Sequence, residues 1–402
     1  MIKILQITLL SLGPLWAFGQ DSLLVITHVE QAIALAMDHN AALKSVRSER
    51  EKAIHLQGTA LDIGKTGIYH SYDANNLAPN DRALRVFGIR QTLPFPTTFS
   101  HRDRLLKVQA EKAMFQYELR QWQLKKEVSQ AYYEWLFTSN KLRHYQYLDS
   151  IFYRFSVAAQ QRYQVGETTY LEDITARNHY QQHHLQLLQT KEELKMVFEK
   201  IIGLLQADRS IHLVHTPLEK INWAQSSSLT PLHHILGAEV NEMEAEWKVS
   251  RGEFLPGISL EYFRGFGIGE GRQNFNGYSV GLEIPLWIKP YHKYQQAMKV
   301  EVDRATHLLQ DYEKRRTARQ AELEARLEKY ATSLQYFETE GLPSAQEIQQ
   351  VASESYYAGE VDYMDYTKSL EIAARTYIQY LQDLNQYNQT YITLFYLADP
   401  NY

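Results

Sequence analysis

Long stretches of the chain place apolar residues at spacings of three and four, which is typical of amphipathic helices. The longest stretch runs from about Thr98 to Tyr163 without a proline or a glycine. As one helix it would be on the order of 100 Å long, several times the length of an ordinary globular helix. The same spacing predicts further helices over residues 29–59, 171–202, 231–254, 291–357 (with an interruption near 341–343) and from just after 359 to about 397.

Four shorter segments alternate apolar and polar residues with a period of two, which indicates β-strands with one apolar face. In the last segment Tyr278, Val280 and Leu282 alternate with Ser279 and Gly281. The first two segments alternate less regularly because they are interrupted by Arg85, Arg90 and Gln91. The predicted strands cover residues 66–73, 84–93, 256–265 and 277–286.

A sheet with one apolar and one polar face fits two structures, a sheet packed on a soluble core and a sheet that faces lipid. The alternation alone does not separate them. Four strands cannot close a barrel wide enough for a solute, and their edges would stay unpaired. Three chains that contribute four strands each would close a twelve-stranded barrel without edges, which is the form that lipid tolerates.

The chain repeats its own pattern at a spacing of 193 residues. A tyrosine, a glycine and an acidic residue recur as Tyr163-x-x-Gly166-Glu167 and Tyr356-x-x-Gly359-Glu360. Phe87-Gly88-Ile89 and Val280-Gly281-Leu282 are separated by the same distance, and two matches at one spacing indicate a tandem duplication. We therefore predict two helix–strand–strand–helix–helix units at 20–203 and 231–402, joined by a linker at 204–230, each with a hairpin tip at its tyrosine–glycine motif.

Residues 1–19 are predicted to be a secretory signal peptide, because basic Lys3 precedes an apolar stretch and small residues follow it at Ala17 and Gly19. A retained signal anchor is the alternative, although the stretch is short for a bilayer span. No later apolar run is long enough for a transmembrane helix. The absence of cysteine excludes disulfides and a lipid on an N-terminal Cys, and a net charge of −5 gives no sign of a nucleic-acid surface.

The sequence contains neither a complete phosphate-binding Gly-x-x-x-x-Gly-Lys-Ser/Thr loop nor a His-Glu-x-x-His metal motif. The chain is therefore not expected to be an enzyme or to need a cofactor. His179 and His183 are four residues apart on a predicted helix, next to His184, and this spacing can share a metal ion. No nearby carboxylate or Cys completes a ligand set, so solvated helix surface is the favoured interpretation there and at His233 and His234.

The duplicated unit, its tyrosine–glycine turns and two strand sequences resemble the TolC family of outer-membrane efflux channels. These sequences are Leu255-Pro256-Gly257-Ile258-Ser259-Leu260 and Val280-Gly281-Leu282-Glu283-Ile284-Pro285-Leu286, and the early Ala32-x-x-x-Ala36-x-x-x-Asn40 helix also fits. The resemblance covers nearly all of the chain after residue 19. It implies a mainly α fold with a small transmembrane β part, in a homotrimer whose twelve-stranded outer-membrane barrel continues into a long periplasmic α-barrel.

Membership would also imply a passive exit duct that contacts outer-membrane lipid, a periplasmic adaptor (membrane fusion protein) and an inner-membrane RND-type pump. The adaptor contacts carried over from the resemblance are Gly166, Glu167, Gly359 and Glu360. An acidic residue at a tip also suits the N-terminus of the following helix, which is the alternative role. The residues expected at the strand-to-helix turns are Pro94, Pro96, Pro285 and Pro290.

The resemblance places the closed periplasmic entrance near the second tip. Asp365 would form an acidic ring around a threefold axis, and Tyr356 and Glu172 would hold the entrance shut through hydrogen bonds. A family member has a second acidic residue three positions after the one at Asp365, whereas this chain has Lys368. At this position the entrance therefore departs from the pattern of that family member.

Residues 81–99 look closest to the channels that are paired with heavy-metal cation pumps, the CusC- and CzcC-like branch. Metal cations or small toxic compounds are the expected cargo, and drug efflux or type I protein secretion is the alternative. A periplasmic coiled-coil adaptor or scaffold is the main alternative from another class. Adaptors carry one helical hairpin inside a lipoyl-like β-domain, whereas this chain is predicted to have two hairpins, each preceded by a strand pair.

Overall fold

The computed structural model describes residues 23–74, 83–223, 230–268 and 273–397, and long helices dominate it. The signal peptide predicted at 1–19 lies outside these residues. Among the described helices, none is both long and apolar enough to cross a membrane. The elements are β1 (Leu24–Ile26), α1 (Val29–His39), α2 (Ala41–Leu56), β2 (Gly67–Asp73), β3 (Leu84–Leu93), α3 (Pro96–Gln164), α4 (Tyr170–Leu205), β4 (Ile211–Leu213), α5 (Pro231–Gly252), β5 (Gly257–Gly267), β6 (Asn274–Glu283), α6 (Ile288–Tyr336), α7 (Leu342–Ala358) and α8 (Tyr363–Phe395).

The longest helix, α3, has 69 residues without a break, which makes it about 100 Å long. It begins at Pro96, where the missing N–H has no intrahelical partner to lose and the fixed φ suits a helix start. No further proline and no glycine occurs before its last residue, Gln164. Because α3 packs against α2, α4, α5 and α8 along its length, it forms the spine of the helical part.

The largest apolar core lies where α3 meets α1 and α4. Leu124, Val128 and Ala131 of α3 are fully buried there, against Ala32 and Ala36 of α1. The small alanines allow the two helices to approach closely. The other buried members of the cluster include Ile26, Leu43, Ile201, Leu205, Leu213, Leu334 and Leu384.

The helix predicted over 29–59 is in fact two helices, because Asn40 leaves the helical conformation with a ψ of 117°. Its side-chain oxygen accepts a hydrogen bond from the Leu43 N–H (3.1 Å), and its amide nitrogen donates to the Leu204 carbonyl (3.1 Å). Asn40 thus caps α2 and fastens this turn to the end of α4. Apolar spacing alone did not reveal the break.

The linker predicted at 204–230 contains an ordered strand. β4 pairs in parallel with β1, so that Leu24 lies opposite Ile211 and Ile26 opposite Leu213. Three residues are too few to show a period of two, and the two strands are far apart in the sequence. The pair anchors the start of the described chain to the segment between the two halves, of which residues 224–229 lie outside the described part.

The remaining strands form one antiparallel sheet in the order β2-β3-β5-β6. β2 and β3 occupy nearly the predicted residues, but β6 runs from Asn274 to Glu283 instead of 277–286. The shift follows from pairing, because Gly257 at the start of β5 is already opposite Glu283. Among the described residues none pairs with those that follow Glu283, and Pro285 could not donate a ladder hydrogen bond. β2 and β6 are the edge strands of the described sheet.

The interruption predicted near 341–343 is a change of helix type instead of a break. Residues Phe337–Gly341 form a π-helical turn that joins α6 directly to α7. The turn ends two residues before Pro343, whose ring would clash with the carbonyl four residues earlier in a regular α-helix. The wider turn therefore lets the helix continue past a proline.

Candidate functional site at the hairpin tips and on the sheet

The first hairpin tip joins α3 to α4 through Gly166, whose φ is +78°. The Gly166 N–H donates to the Tyr163 carbonyl (3.0 Å) and the Glu167 N–H donates to the Arg162 carbonyl (2.8 Å). This pair of hydrogen bonds is the Schellman motif, which ends a helix on a left-handed residue and favours glycine at that position.

The second tip joins α7 to α8 through Gly359, whose φ is +75°, and it has the same geometry. The Gly359 N–H donates to the Tyr356 carbonyl (3.1 Å) and the Glu360 N–H donates to the Ser355 carbonyl (2.9 Å). Each of these residues stands 193 positions after its counterpart at the first tip. The repeated sequence motif therefore corresponds to a repeated turn.

The helices that leave the two tips are capped in the same way. The Thr169 hydroxyl accepts from the Glu172 N–H (3.2 Å), and the Asp362 carboxylate accepts from the Asp365 N–H (2.9 Å). Glu172 and Asp365 therefore both stand in the first turn of a helix, where a negative charge is stabilised by the helix dipole. Within one chain, both residues thus stabilise the start of the helix that follows the tip.

Arg162 links the two tips and was not among the site residues assigned from the sequence. Its guanidinium lies 3.3 Å from Glu172 and 3.9 Å from Glu167, and it also faces the Tyr356 hydroxyl of the second hairpin. Burial raises the pKa of Tyr356, and the Arg162 charge opposes that rise. The structure thus brings Tyr356 and Glu172 together through Arg162. The signal that the sequence offers is its place directly before Tyr163 of the first tyrosine–glycine motif.

An aromatic cluster fixes the second tip against α3. The Tyr356 ring stacks on Tyr366 with centroids 4.8 Å apart, and it meets Phe155 of α3 edge-on at 5.5 Å. Tyr363 is buried beside Phe155, and burial raises the pKa of its hydroxyl. These contacts hold the two hairpins together within about two helical turns of Gly359.

Asp365 and Lys368 are both exposed on α8. Asp365 faces a groove of about 440 Å³ between α7 and α8, lined in part by Ser344, Glu347 and Ser355. Within one chain this groove is distinct from the Arg162–Glu172 ion pair, which belongs to the first hairpin. The residues predicted at an entrance are therefore divided between two neighbouring places.

The four prolines lie between the sheet and the long helices. Pro96 is the first residue of α3 and Pro290 is the third residue of α6, whereas Pro94 and Pro285 stand in the short loops before these helices. Fixed φ and a missing N–H are tolerated at both kinds of position.

The expectation that the histidines considered as metal ligands lie on solvated helix surface without nearby carboxylates is wrong. His183 and His234 stack on aromatic rings, and the other three pair with single carboxylates. His184 Nδ1 lies 2.9 Å from Asp149, His179 Nδ1 lies 2.7 Å from Glu371, and His233 Nε2 lies 3.0 Å from Glu313. The described residues contain no group of three or more His, Cys, Asp or Glu that could hold a metal ion.

One face of the sheet is apolar and exposed. Ile68, Ile89, Tyr262 and Tyr278 form a row across all four strands, and Tyr278 is 83% exposed. Trp287, just after β6, is 85% exposed. A soluble protein rarely leaves such a continuous apolar surface uncovered.

The opposite face of the sheet carries a polar cluster at its centre, although Phe263 and Phe275 lie on it over Gly277 and Gly265. The Tyr69 hydroxyl donates to Glu261, and the Arg90 guanidinium lies 3.2 Å from the same carboxylate. Arg90 therefore does not interrupt the apolar face. By strand alternation Arg85, Gln91 and Arg264 share the apolar face, and Gln91 is followed there by the apolar pair of Leu93 and Ile258.

The sequence does contain one enzyme-like motif, Gly277-x-Ser279-x-Gly281, with the spacing of a nucleophile elbow. That elbow requires a sharp turn from a strand into a helix. Here the five residues lie inside β6, where Ser279 is paired with Glu261 of β5. The motif is therefore part of a regular strand.

No protein-family model and no curated protein matches the chain. Solved structures do match: the outer-membrane channel OprN has a TM-score of 0.78 at 13% identity, with 92% of this chain and 89% of that chain covered. The chain has the fold of the TolC-type outer-membrane channels. CusC, described for its folding and transmembrane channel formation, gives a TM-score of 0.76 at 14% identity with 91% of each chain covered. The Campylobacter jejuni outer membrane channel CmeC gives 0.72 at 14% identity, covering 92% of this chain and 84% of its own.

The TolC-type fold confirms the mainly helical architecture with few strands that the resemblance implied. It does not select the CusC branch, because the TM-score with CusC is no higher than that with OprN.

Proposed function

We propose that the protein is a passive exit duct in an outer membrane, built as a homotrimer. The observation that carries this proposal is the sheet, which has an exposed apolar face, an opposite face with a central polar cluster, and two edge strands, β2 and β6, without partners in the described chain. Three copies would pair β6 of one chain with β2 of the next and close twelve strands without an edge. The apolar face would then contact lipid and the opposite face would line the lumen.

The long helices would form the periplasmic part of the duct. With α3 about 100 Å long, helices from three copies can enclose a tube that reaches far from the membrane. A duct of this kind needs no catalytic residues, which agrees with structural neighbours described as channels. Energy would come from an inner-membrane RND-type pump, and a periplasmic adaptor would connect the pump to the duct.

The hairpin tips are the surfaces that the adaptor would contact. Gly166 and Gly359 leave the backbone open to a partner, because a side-chain carbon added at either would meet no atom within 4 Å. Exposed apolar side chains surround them, with Val165 at the first tip and Tyr357 at the second. Glu167 and Glu360 add one acidic residue to each tip, as expected for docking to a complementary surface.

Metal cations or small toxic compounds are the cargo that we propose, and drug efflux or type I protein secretion is the alternative. The similarity of residues 81–99 to channels that are paired with heavy-metal cation pumps supports metal cations. Because the described chain has no cluster of metal ligands, selectivity would reside in the pump.

Asp365 is proposed to line the entrance as an acidic ring of three copies, next to Lys368. Replacing Asp365 with alanine should change the single-channel conductance in planar bilayers and weaken block by divalent cations, because three negative charges leave the narrowest point. The matched control is Asp208→Ala, which removes an exposed acid from the segment before β4. If both variants conduct like the wild type, Asp365 has no role at the entrance.

Trp287 tests whether the sheet faces lipid. The other described tryptophans (Trp122, Trp135, Trp223 and Trp247) are buried or half-buried in the helical part. In vesicles that contain brominated phospholipids, fluorescence should be quenched, and the Trp287→Phe variant should lose most of that quenching. Equal quenching in both proteins would mean that this part of the sheet does not contact lipid, and the membrane proposal would fail.

A further inference from the structure

Four histidines surround a small apolar core at the contact between the first hairpin and α8. The core consists of Leu148 and Phe152 of α3 and Ala374 of α8, and Phe152 is fully buried. The first hairpin, formed by α3 and α4, supplies all four imidazoles. They are His144 on α3 and His179, His183 and His184 on α4.

Two of the four imidazoles have carboxylate neighbours. His184 Nδ1 and Asp149 Oδ1 are 2.9 Å apart and form a hydrogen bond within the hairpin. His179 Nδ1 is 2.7 Å from Glu371 Oε1 of α8, close enough for an ion pair but outside hydrogen-bond geometry. Each of these two histidines thus has one carboxylate beside its Nδ1 atom.

The other two imidazoles are packed against aromatic rings. His183 stacks on Phe152 with centroids 4.0 Å apart and planes at 13°, and His144 lies 4.6 Å from the Tyr377 ring of α8. His183 Nδ1 and His144 Nε2 are buried and have no hydrogen-bond partner among the described residues. A neutral ring tolerates such a place, whereas a charged ring would be left without a partner.

The surrounding charges do not compensate this burial. Burial lowers the pKa of His183 despite Glu371 and Asp149, which act in the opposite direction, and His179 lowers it further. Burial, together with the His183 charge, lowers the pKa of His144 to about 4. The other titratable groups near the contact are four tyrosines and the Lys141–Glu193 ion pair (2.8 Å), whose two charges act on Tyr145 in opposite directions. α7 reaches the contact through uncharged Gln349, which donates to the Tyr147 hydroxyl (2.5 Å). The tyrosines are Tyr145, Tyr147, Tyr180 and Tyr377.

We propose that His144 and His183 form a pH-sensitive contact that holds α4 and α8 against α3 around Phe152 when both rings are neutral and loosens when they are protonated. The contact is about 25 Å from the first tip, because His183 on α4 is seventeen residues after Gly166. Because the contact lies within one chain, its response to pH can be measured without an export assay, and either proposal can fail without the other.

The direction of the pH effect follows from the lowered pKa values. When the contact is open, both imidazoles bind protons with the ordinary histidine pKa of 6.5. In the closed contact the pKa of His144 is lowered to about 4, and burial lowers the pKa of His183 as well. The contact is therefore at full strength above pH 6.5 and weakens as the pH falls from 6.5 toward 4. For each of the two imidazoles, the equilibrium constant for closing the contact should fall by up to about tenfold for each pH unit below 6.5 in this window.

Amide hydrogen exchange of the full-length protein in detergent tests this contact directly. Exchange of the segments 144–152, 179–184 and 371–377 would be followed by mass spectrometry between pH 7.5 and 5 and corrected for the intrinsic pH dependence. We expect protection in these segments to fall at least tenfold in the wild type, with residues 124–136 of the main core unchanged. Replacing both histidines by phenylalanine should abolish the fall.

Two further variants make the result unambiguous. His144→Gln combined with His183→Gln keeps polar side chains without a titrating group, in case the phenylalanines do not pack. His55→Phe removes an exposed histidine from α2 as the matched control and should respond like the wild type. If the wild type shows no pH-dependent loss, or if both double variants lose protection like the wild type, the contact is not a pH-sensitive one.

Discussion

Replacing Gly359 with tryptophan is expected to abolish export while leaving the trimer assembled. Gly359 adopts a left-handed conformation with φ of +75°, and the space beside its Cα is open. The backbone cost for a non-glycine residue is about 1–2 kcal/mol, which a turn held by two Schellman hydrogen bonds can absorb. The indole, however, would occupy the surface on which an adaptor must dock.

Gly359→Ala and Gly359→Asn separate strain from obstruction. Alanine carries the same left-handed penalty as tryptophan without its bulk, and asparagine tolerates this conformation well. Both should keep most of the export, measured as resistance of a strain that lacks its own duct to a panel of metal salts and toxic compounds. Normal resistance with Gly359→Trp would show that the second tip does not bind the adaptor.

Replacing Gly88 with valine is expected to reduce the amount of assembled protein in the outer membrane about tenfold or more. Gly88 of β3 is covered by the Tyr69 ring of β2, and a Cβ atom there would lie 2.4 Å from that ring. The ring cannot easily move, since the Tyr69 hydroxyl donates to Glu261 and the Arg90 guanidinium lies 5.6 Å from the ring centre. Overpacking at such a site destabilises the folded state by roughly 1–3 kcal/mol. In the proposed trimer this destabilisation would occur in each of the three chains.

The control for Gly88 is Gly67→Ala on the same face of the sheet. A Cβ at Gly67 would meet the Arg90 carbonyl oxygen at 3.6 Å, an ordinary contact. This variant should assemble normally, and Tyr69→Ala combined with Gly88→Val should recover part of the loss by making room. Wild-type levels of Gly88→Val in purified outer membranes would contradict the packing described for β2 and β3.

The long helices and the tips could be predicted because their signals are local. The stretch without glycine or proline gave α3 to within two residues at each end, and the two tyrosine–glycine motifs marked the turns at Gly166 and Gly359. The end of β3 at Leu93 could be placed because Pro94 follows it. In each case the presence or absence of glycine or proline determines the local backbone conformation.

What escaped prediction depends on partners that are distant in the sequence. The exact ends of β6 depend on the register with β5, and β4 exists because β1 lies beside it. The helix break at Asn40 is fixed by a hydrogen bond to Leu204. The bridging role of Arg162 needs Tyr356, which lies on the other hairpin. Periodicity within a short window contains none of these relations.

The central claim is that three copies of this sheet close one barrel in an outer membrane. Membrane fractionation followed by mass determination of the detergent-extracted protein tests it most directly. The protein should be found in the outer-membrane fraction, and its mass should be that of three chains after the detergent contribution is removed. A soluble monomer in the periplasmic fraction would contradict the claim, because the apolar face of the sheet would then have to be covered within a single chain.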